Sequence, residues 1–394
     1  MKKLSVVIPV FNEAATLGEL LTRVENAKLP EGIAKEIIVI DDCSTDTTRD
    51  VISAYFADKT PLDHKKIFLK ENKGKGGAVK EGLRYVTGDY VVIQDADLEY
   101  NPDEYTALLT PILEGRATSV FGSRNLSHRN QPTGRMYLYG GVGLTAIYNL
   151  LFGTHYTDIN TCYKVFPASL NDAVIHCPDN SFTFDAVELT HVLMHRAKVL
   201  EVAITYAPRS FSSGKKIRVQ HGIKMLWRMI VLRLGFDAWF AQLRYKAVMK
   251  HVRPDTVVID IGCGPYMNLL RLIKNKIQRG IGIDRRLVKG WSEDNLELMS
   301  FDFDQTEKWP VEQNTADQVF ALALIEHVEK PEIVSRNAFR MLKKGGDIYM
   351  TTPTPFSKPI LEFLAFRIGI IDRREIEEHK HYFTKKELIT LLEK

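Results

Sequence analysis

The sequence predicts an α/β protein of two domains. Three observations lead there. Strand-like apolar runs alternate with helical patterns through the first half, a second alternating series starts near residue 256, and a basic stretch at roughly 215 to 250 lies between them. Alternation of this kind argues for mostly parallel sheets with helices on both faces. The length of 394 residues, with 45% hydrophobic and 26% charged, supplies enough apolar material for two full-sized cores. The boundary is expected after residue 235, giving domains 1–235 and 236–394.

The elements follow in order. "LSVVIPV" reads as a strand and "EAATLGELLTRVENA" as an amphipathic helix. "EIIVIDD" is a second strand, and Ser44, Thr45 and Asp46 cap the helix after it. "KIFLKEN" and "KGGAVKEGLRYV" make a third strand and helix, and "YVVIQDAD" a fourth strand. In such sheets ligands bind beyond the carboxyl ends of the strands, where Asp41, Asp42, Asp95 and Asp97 fall. In the second series, "TVVIDIGCGP" is a strand and glycine-rich turn. "GIGIDRR", "ADQVFALALIEHV" and "GGDIYMTTP" each carry a further strand.

Bulk properties exclude several classes. The apolar run at the N-terminus is broken by Pro9, Asn12 and Glu13, unlike a signal peptide. No window reaches the roughly 18 apolar residues of a membrane span. The four cysteines are scattered, as expected in a reducing, cytoplasmic setting. A net charge of +4 gives no ground for a nucleic-acid partner. Oligomeric state is not legible.

Asp95, Asp97 and Glu99 crowd the end of the fourth strand in "VVIQDADLEYNP". An Asp-x-Asp there can hold a divalent cation, which relieves the repulsion and acts as a Lewis acid toward phosphate. Alone it is a weak signal, because acidic pairs occur in many ordinary loops. "NKGKGGAVKEGL" offers backbone N–H groups at a helix start, where a phosphate could approach.

These stretches, with "PVFNE", "EIIVIDDCSTD", "FGSRN", "TDINTCYKVF" and "YAPRSFSSGKK" in the same order, resemble the inverting family 2 glycosyltransferases with the GT-A nucleotide-diphospho-sugar transferase fold. Within them the likeness is to the branch that transfers a sugar to a polyprenyl phosphate, such as dolichyl-phosphate mannose and glucose synthases. It implies a nucleotide-sugar donor of the GDP-mannose or UDP-glucose type, held by Pro9, Phe11, Glu13, Ile40, Asp41, Asp42, Lys75, Asp95, Ala96, Arg124, Arg209 and Lys215. It implies Mg2+ or Mn2+ on Asp95, Asp97 and Glu99, and an acceptor phosphate at Arg124 and Arg135. Departures are Cys43 in place of the usual glycine, Phe11 in place of tyrosine, and Cys162-Tyr163-Lys164 in place of Gly-Phe-Arg. An acceptor phosphate is already anionic and needs no base; a sugar hydroxyl would need one, and Asp158 is then the first candidate, unless it is a loop cap.

"RVQHGIKMLWRMIVLRLGF" places Ile223, Leu226, Trp227, Ile230 and Leu234 at helical spacing, with His221, Lys224 and Arg228 on another side. Such a basic amphipathic helix can lie peripherally in the interface at the inner face of a membrane. The other reading is an interdomain helix with its apolar side in a core.

In the second series Asp260 precedes Gly262 and Gly264, and Asp284 ends the next strand about 20 residues on. Met267 takes the place of the third glycine of a dinucleotide fingerprint. An acid two residues before the first glycine suits a cofactor with a cationic end. With "FDFD", "AFRMLKKGGDIYMTTP" and "EEHKHYFTKKEL", the segment resembles class I methyltransferases that use S-adenosyl-L-methionine, with a Rossmann-like fold. The likeness implies cofactor contacts from Asp260, Gly262, Gly264, Asp284 and Asp302, with Asp304 the alternative to the last. His327, His379 and His381 would border the acceptor pocket, as a base or as structural residues. The family fold closes with two further strands after "TKKELITLLEK", so a domain short of its last strands is expected.

The expected activity is metal-dependent, inverting hexose transfer to a polyprenyl phosphate, with methylation of a small or glycolipid acceptor by the second domain. The alternative is transfer to a polysaccharide or glycan hydroxyl, with the second domain a non-catalytic binding module.

Overall fold

The computed structural model describes residues 2–59, 63–127, 130, 135–208, 219–264, 267–285, 291–303, 309–371 and 373–393; for 135–139, 219, 236–241, 291 and 374 only the backbone is described. "KKLSVVIPV" has no apolar–polar alternation, and the strand it forms, β1 (Lys2–Val10), is buried on both faces from Leu4 onward. It lies inside a sheet with β2 (Ile33–Asp41), β3 (His64–Phe68), β4 (Tyr90–Ile93), β5 (Ser119–Ser123), β6 (Lys164–Pro167) and β7 (Val199–Ala203). The order is β3-β2-β1-β4-β6-β5-β7. β1 pairs in parallel with both β2 and β4, and β6 runs antiparallel between β4 and β5. The chain crosses over at β1, so the loops after β1, β2 and β4 open at one edge. The helix Ala14–Asn26 covers the sheet with Leu17, Leu20, Leu21 and Val24.

A second core in this unit joins the helices Arg135–Phe152 and Val219–Leu234 through Tyr148, Ile159, Val187, Met225 and Met229. The second helix departs from the reading that buries its large apolar side in a core. Arg228, expected among solvated charges, points inward and pairs with Glu188, which is 2% exposed. Ile223, Trp227 and Leu234 are exposed instead. A methionine stripe offset from the larger residues supplies the buried side.

The second unit, Gly235–Lys394, follows the first, Met1–Leu234. Its sheet joins β8 (Val257–Ile261), β9 (Arg279–Asp284), β10 (Trp291–Glu293), β11 (Leu296–Ser300), β12 (Ala316–Leu322) and β13 (Leu342–Thr351) in the order β10-β11-β9-β8-β12-β13. All pairings are parallel except that of β10 with β11. The chain again crosses over at β8, between β9 and β12. Among the described residues no strand pairs outside β13. The two units have the expected architectures, a GT-A fold followed by a methyltransferase-like sheet. No helix among the described residues is long and apolar enough to cross a membrane.

Candidate active sites

In the first unit, side chains tie three strand-end loops together. Asn12 accepts from the Thr45 amide at 2.8 Å, and the Glu13 amide donates to the Thr48 hydroxyl at 2.9 Å. Asp42 accepts from the Lys73 amide at 2.7 Å. Asp41 is fully buried and accepts from Arg49 at 2.6 Å and from the Ser44 amide. Burial raises the Asp42 carboxyl above its usual range. Asp41 therefore shapes its own loop from Ser44 to Arg49 and Asp42 ties that loop to the one after β3, while Asn12 and Glu13 are held by Ser44, Thr45 and Thr48. Cys43, next after Asp42, sits at φ 62°, which explains why a glycine suits this position.

The glycine-rich stretch does something other than cradle phosphate. The amides of Gly76 and Gly77 donate to the carbonyls of Ser181 and Asn180, at 3.3 and 3.2 Å. A Cβ on Gly76 would stand 2.7 Å from the Phe184 Cβ, and one on Gly74 2.6 Å from the Asn180 carbonyl oxygen. Small residues let segment 180–184 press against the helix Gly74–Leu83. Buried Lys80 clamps the same segment, donating to the carbonyls of Cys177 and Asp179 and to the Asn180 side chain.

That contact delivers Asp185, at the start of a turn of π-helix (Asp185–Leu189), to Lys75. Lys75 bridges Asp185 and Asp95, the latter at 2.6 Å. Burial opposes its charge, but the two carboxylates hold its pKa well above the usual lysine value. Burial raises the Asp185 carboxyl. Ligand atoms of Asp95, Cys162 and Asp185 all lie within 4.8 Å of one another. The three carboxylates expected to share a metal are spread more widely. Asp97 accepts from the Glu99 amide at 3.2 Å, while the Glu99 side chain accepts from the Tyr206 hydroxyl at 2.6 Å. Asp185 has no motif that marks it; the signal was a pair of acids, Asp185 and Glu188, inside the apolar run "FTFDAVEL".

Arg124, just past β5, forms a two-pronged pair with Asp158 at 2.7 and 2.9 Å, and its guanidinium lies 5.0 Å from the Tyr206 ring. Asp158 is 1% exposed; although burial disfavours its charge, Arg124 lowers its carboxyl below the usual range. An already paired, weakly basic carboxylate is poorly suited to be a base, so the structure gives Asp158 the role of holding Arg124. Ile40 is also displaced from its expected place. It is fully buried against Gly82 and Val7 rather than facing a nucleotide. Pro9 is buried beside it in the ladder. The Ala96 carbonyl accepts from Thr16 at 2.9 Å. Arg209 and Lys215 lie outside the described residues, as does the side chain of Arg135.

In the second unit a cavity of about 660 Å3 opens at the crossover edge of the sheet, within the size range of about 300–1,000 Å3 usual for small-molecule sites. Asp260, Gly262, Gly264 and Asp284 line it. Gly262 and Gly264 take φ of 74° and 71°, and the Gly264 amide donates to Asp284 at 2.8 Å. Burial, with help from the Asp284 charge, raises Asp260 to about 8. Met267, where a dinucleotide site has its third glycine, is fully buried and closes against Gly282. Asp302 is not on the cavity wall; Phe303 next to it takes that position. Asp304 lies outside the described residues. His327 and His379 line the cavity; His381 does not.

Two α/β units with strand-end sites thus stand in one chain. The model of glycosyl transferase family 2 matches residues 5–173, and a methyltransferase-domain model matches residues 231–394. Among solved structures, glucosyl-3-phosphoglycerate synthase from Mycobacterium tuberculosis, in complex with Mn2+, uridine diphosphate and glucosyl-3-phosphoglycerate, is similar at 18% identity. That match covers 59% of this chain and 80% of the other, with a TM-score of 0.44. S. aureus TarS residues 1–349 in complex with UDP matches at 19% identity over 58% and 70%, with a TM-score of 0.39. A Haloferax volcanii putative methyltransferase complex with the Trm112 activator matches at 22% over 40% and 74%, with a TM-score of 0.30. The chain joins a family 2 glycosyltransferase domain to a methyltransferase domain.

Proposed function

We propose that residues 1–235 transfer a hexose from a GDP-mannose or UDP-glucose type donor to a polyprenyl phosphate, and that residues 236–394 methylate a small or glycolipid acceptor with S-adenosylmethionine. The observation that carries the choice of acceptor is the Arg124–Asp158 pair. It occupies the carboxylate that would serve as a base for a sugar hydroxyl, which is buried and held ionised, and so weakly basic, by the guanidinium. An acceptor phosphate arrives anionic and needs only cations to receive it. The exposed Ile223 and Trp227, on a helix that also carries Lys224 and Arg233, support a lipid-bearing acceptor at a membrane surface.

The residues present fit a hard divalent cation, because Asp95 and Asp97 offer carboxylate oxygens on one turn and burial keeps the Cys162 thiol protonated. Such an ion would stabilise the departing nucleoside diphosphate. Lys75 holds Asp95 in place, and Arg124, aligned by Asp158, meets phosphate oxygens. In the second unit, Asp260 and Asp284 offer carboxylates to a cofactor with a cationic amino acid end and a ribose, and positive-φ glycines let it approach the backbone. Asp97→Ala is expected to abolish sugar transfer and leave S-adenosylmethionine binding intact, and Asp284→Ala the reverse. Normal metal-dependent transfer by the Asp97→Ala variant contradicts the site assignment.

A further inference from the structure

The cavity of the second unit holds a group that the cofactor contacts leave unused. Glu326, His327 and His379 line it, and one ligand atom of each lies within 4.8 Å of the other two. They come from separate stretches, "EHV" after β12 and "HKHYF" before the helix Lys385–Leu392. The backbone makes the joint, since the Glu326 carbonyl accepts from the amides of Lys380 and His381 at 2.6 and 3.2 Å. The following helix is fixed by a capping box between Thr384 and Glu387, with Leu391 in the core.

Glu326 is 1% exposed; Thr352 approaches its carboxyl but makes no well-aligned hydrogen bond to Oε2, and burial raises the group to about 7. A buried carboxylate oxygen without a partner costs free energy unless something fills the gap. The histidines are arranged to help. The His327 and His379 rings stand 4.7 Å apart at 74°, and the Tyr382 hydroxyl lies 3.1 Å from His379 Nδ1, which orients the ring and leaves Nε2 on its other side. Burial lowers the His379 pKa, favouring the neutral imidazole that a metal requires.

We propose that Glu326, His327 and His379 form a binding site for a divalent transition-metal ion in the wall of the cofactor cavity, where the ion receives a hydroxyl-bearing methyl acceptor. The proposal rests on the reading of this unit as a methyltransferase. Two imidazoles and one carboxylate leave coordination positions open for an exogenous oxygen. Three donors of a tetrahedral site at about 2.0–2.2 Å from the ion stand about 3.3–3.6 Å apart, so pairs separated by up to 4.8 Å would close by up to about 1.5 Å. A bound hydroxyl gives up its proton more readily. Its oxygen forms the new bond to the methyl carbon as the carbon–sulfur bond breaks. The electron pair stays on sulfur, and the acceptor's proton passes to solvent.

The test uses the full-length chain carrying Asp97→Ala, so that the first unit's acidic turn does not compete. Co2+ titrated by calorimetry is expected to bind at about one equivalent, with an absorption spectrum of nitrogen and oxygen ligation. Glu326→Gln and His379→Gln should each weaken it by about tenfold or more. S-adenosylmethionine affinity should stay within about threefold in both. Absence of Co2+ and Zn2+ binding by the parent chain overturns the proposal, and this result does not depend on either variant folding. Equal binding by parent and both variants overturns it too. If S-adenosylmethionine fails to bind the parent, the methyltransferase reading falls, while the cobalt result still decides the metal site.

Discussion

Gly76→Ala separates a glycine that makes room for packing from one that makes room for phosphate. The added Cβ would stand 2.7 Å from the Phe184 Cβ and 2.9 Å from the Asn180 carbonyl carbon. Ordinary contact begins near 3.4 Å, so segment 180–184 must retreat by several tenths of an ångström. It cannot do so cheaply, because Lys80 holds its first residue, Asn180, and the carbonyls of Cys177 and Asp179 just before it, and Phe184 is fully buried. Overpacking of this kind costs about 1–3 kcal/mol, which is about 5- to 150-fold in an opening equilibrium. Hydrogen exchange with mass spectrometry reads this locally in a two-domain chain, on peptides spanning Gly74–Leu83 and 180–189. Protection there should fall by that factor, and metal-dependent transfer should fall with it as Asp185 moves away from Lys75. Unchanged protection together with a tenfold or greater loss of nucleotide affinity would refute the packing argument and restore the phosphate-cradle reading.

Three other variants follow from the same geometry. Asp158→Asn should raise KM for the phosphate-bearing substrates and lower kcat by less than about tenfold, because its role is to align Arg124; a general base is worth about 10²–10⁴-fold, so a kcat loss of a thousandfold would show that Asp158 takes the proton. Asp260 titrates near 8 when folded against about 3.9 unfolded, so the folded chain holds an extra proton between those values and the second unit loses stability as pH rises from about 4 to about 8. Asp260→Asn should flatten that slope in thermal melts of the cofactor-free protein, and an unchanged slope contradicts the assignment. Cys43→Gly relieves a left-handed residue at a cost of about 1–2 kcal/mol, offset by about 0.4–1 kcal/mol of unfolded-chain entropy; exchange protection of the loop should hold or rise slightly, and a fall of tenfold means that the Cys43 side chain holds the loop.

Much of the fold is legible because parallel α/β units write each strand and its ligand-bearing loop as neighbours in sequence. "VVIQDAD" and "VVIDIGCGP" locate both edges for that reason. What the sequence hides is set by distant contacts. Asp185 reaches Lys75 across more than a hundred residues, through a packing interface that the glycines of "GKGG" create. Ile40 lies in a run buried on both faces, so no alternation tells which side it takes. Arg228 reads as a surface charge until Glu188 is seen beneath it. Asp158 reads as a base until Arg124 is seen gripping it. In each case a local pattern named the residue type, and a partner remote in sequence decided its role.

In the proposed function the first unit passes a hexose to a lipid phosphate. The direct measurement incubates the full-length protein with Mn2+, labelled GDP-mannose or UDP-glucose, and polyprenyl phosphate in vesicles, then partitions the label between organic and aqueous phases. Label is expected in the organic phase, dependent on the metal and lost in Asp97→Ala. Label confined to a water-soluble glycan, with none in the lipid from either donor, contradicts it.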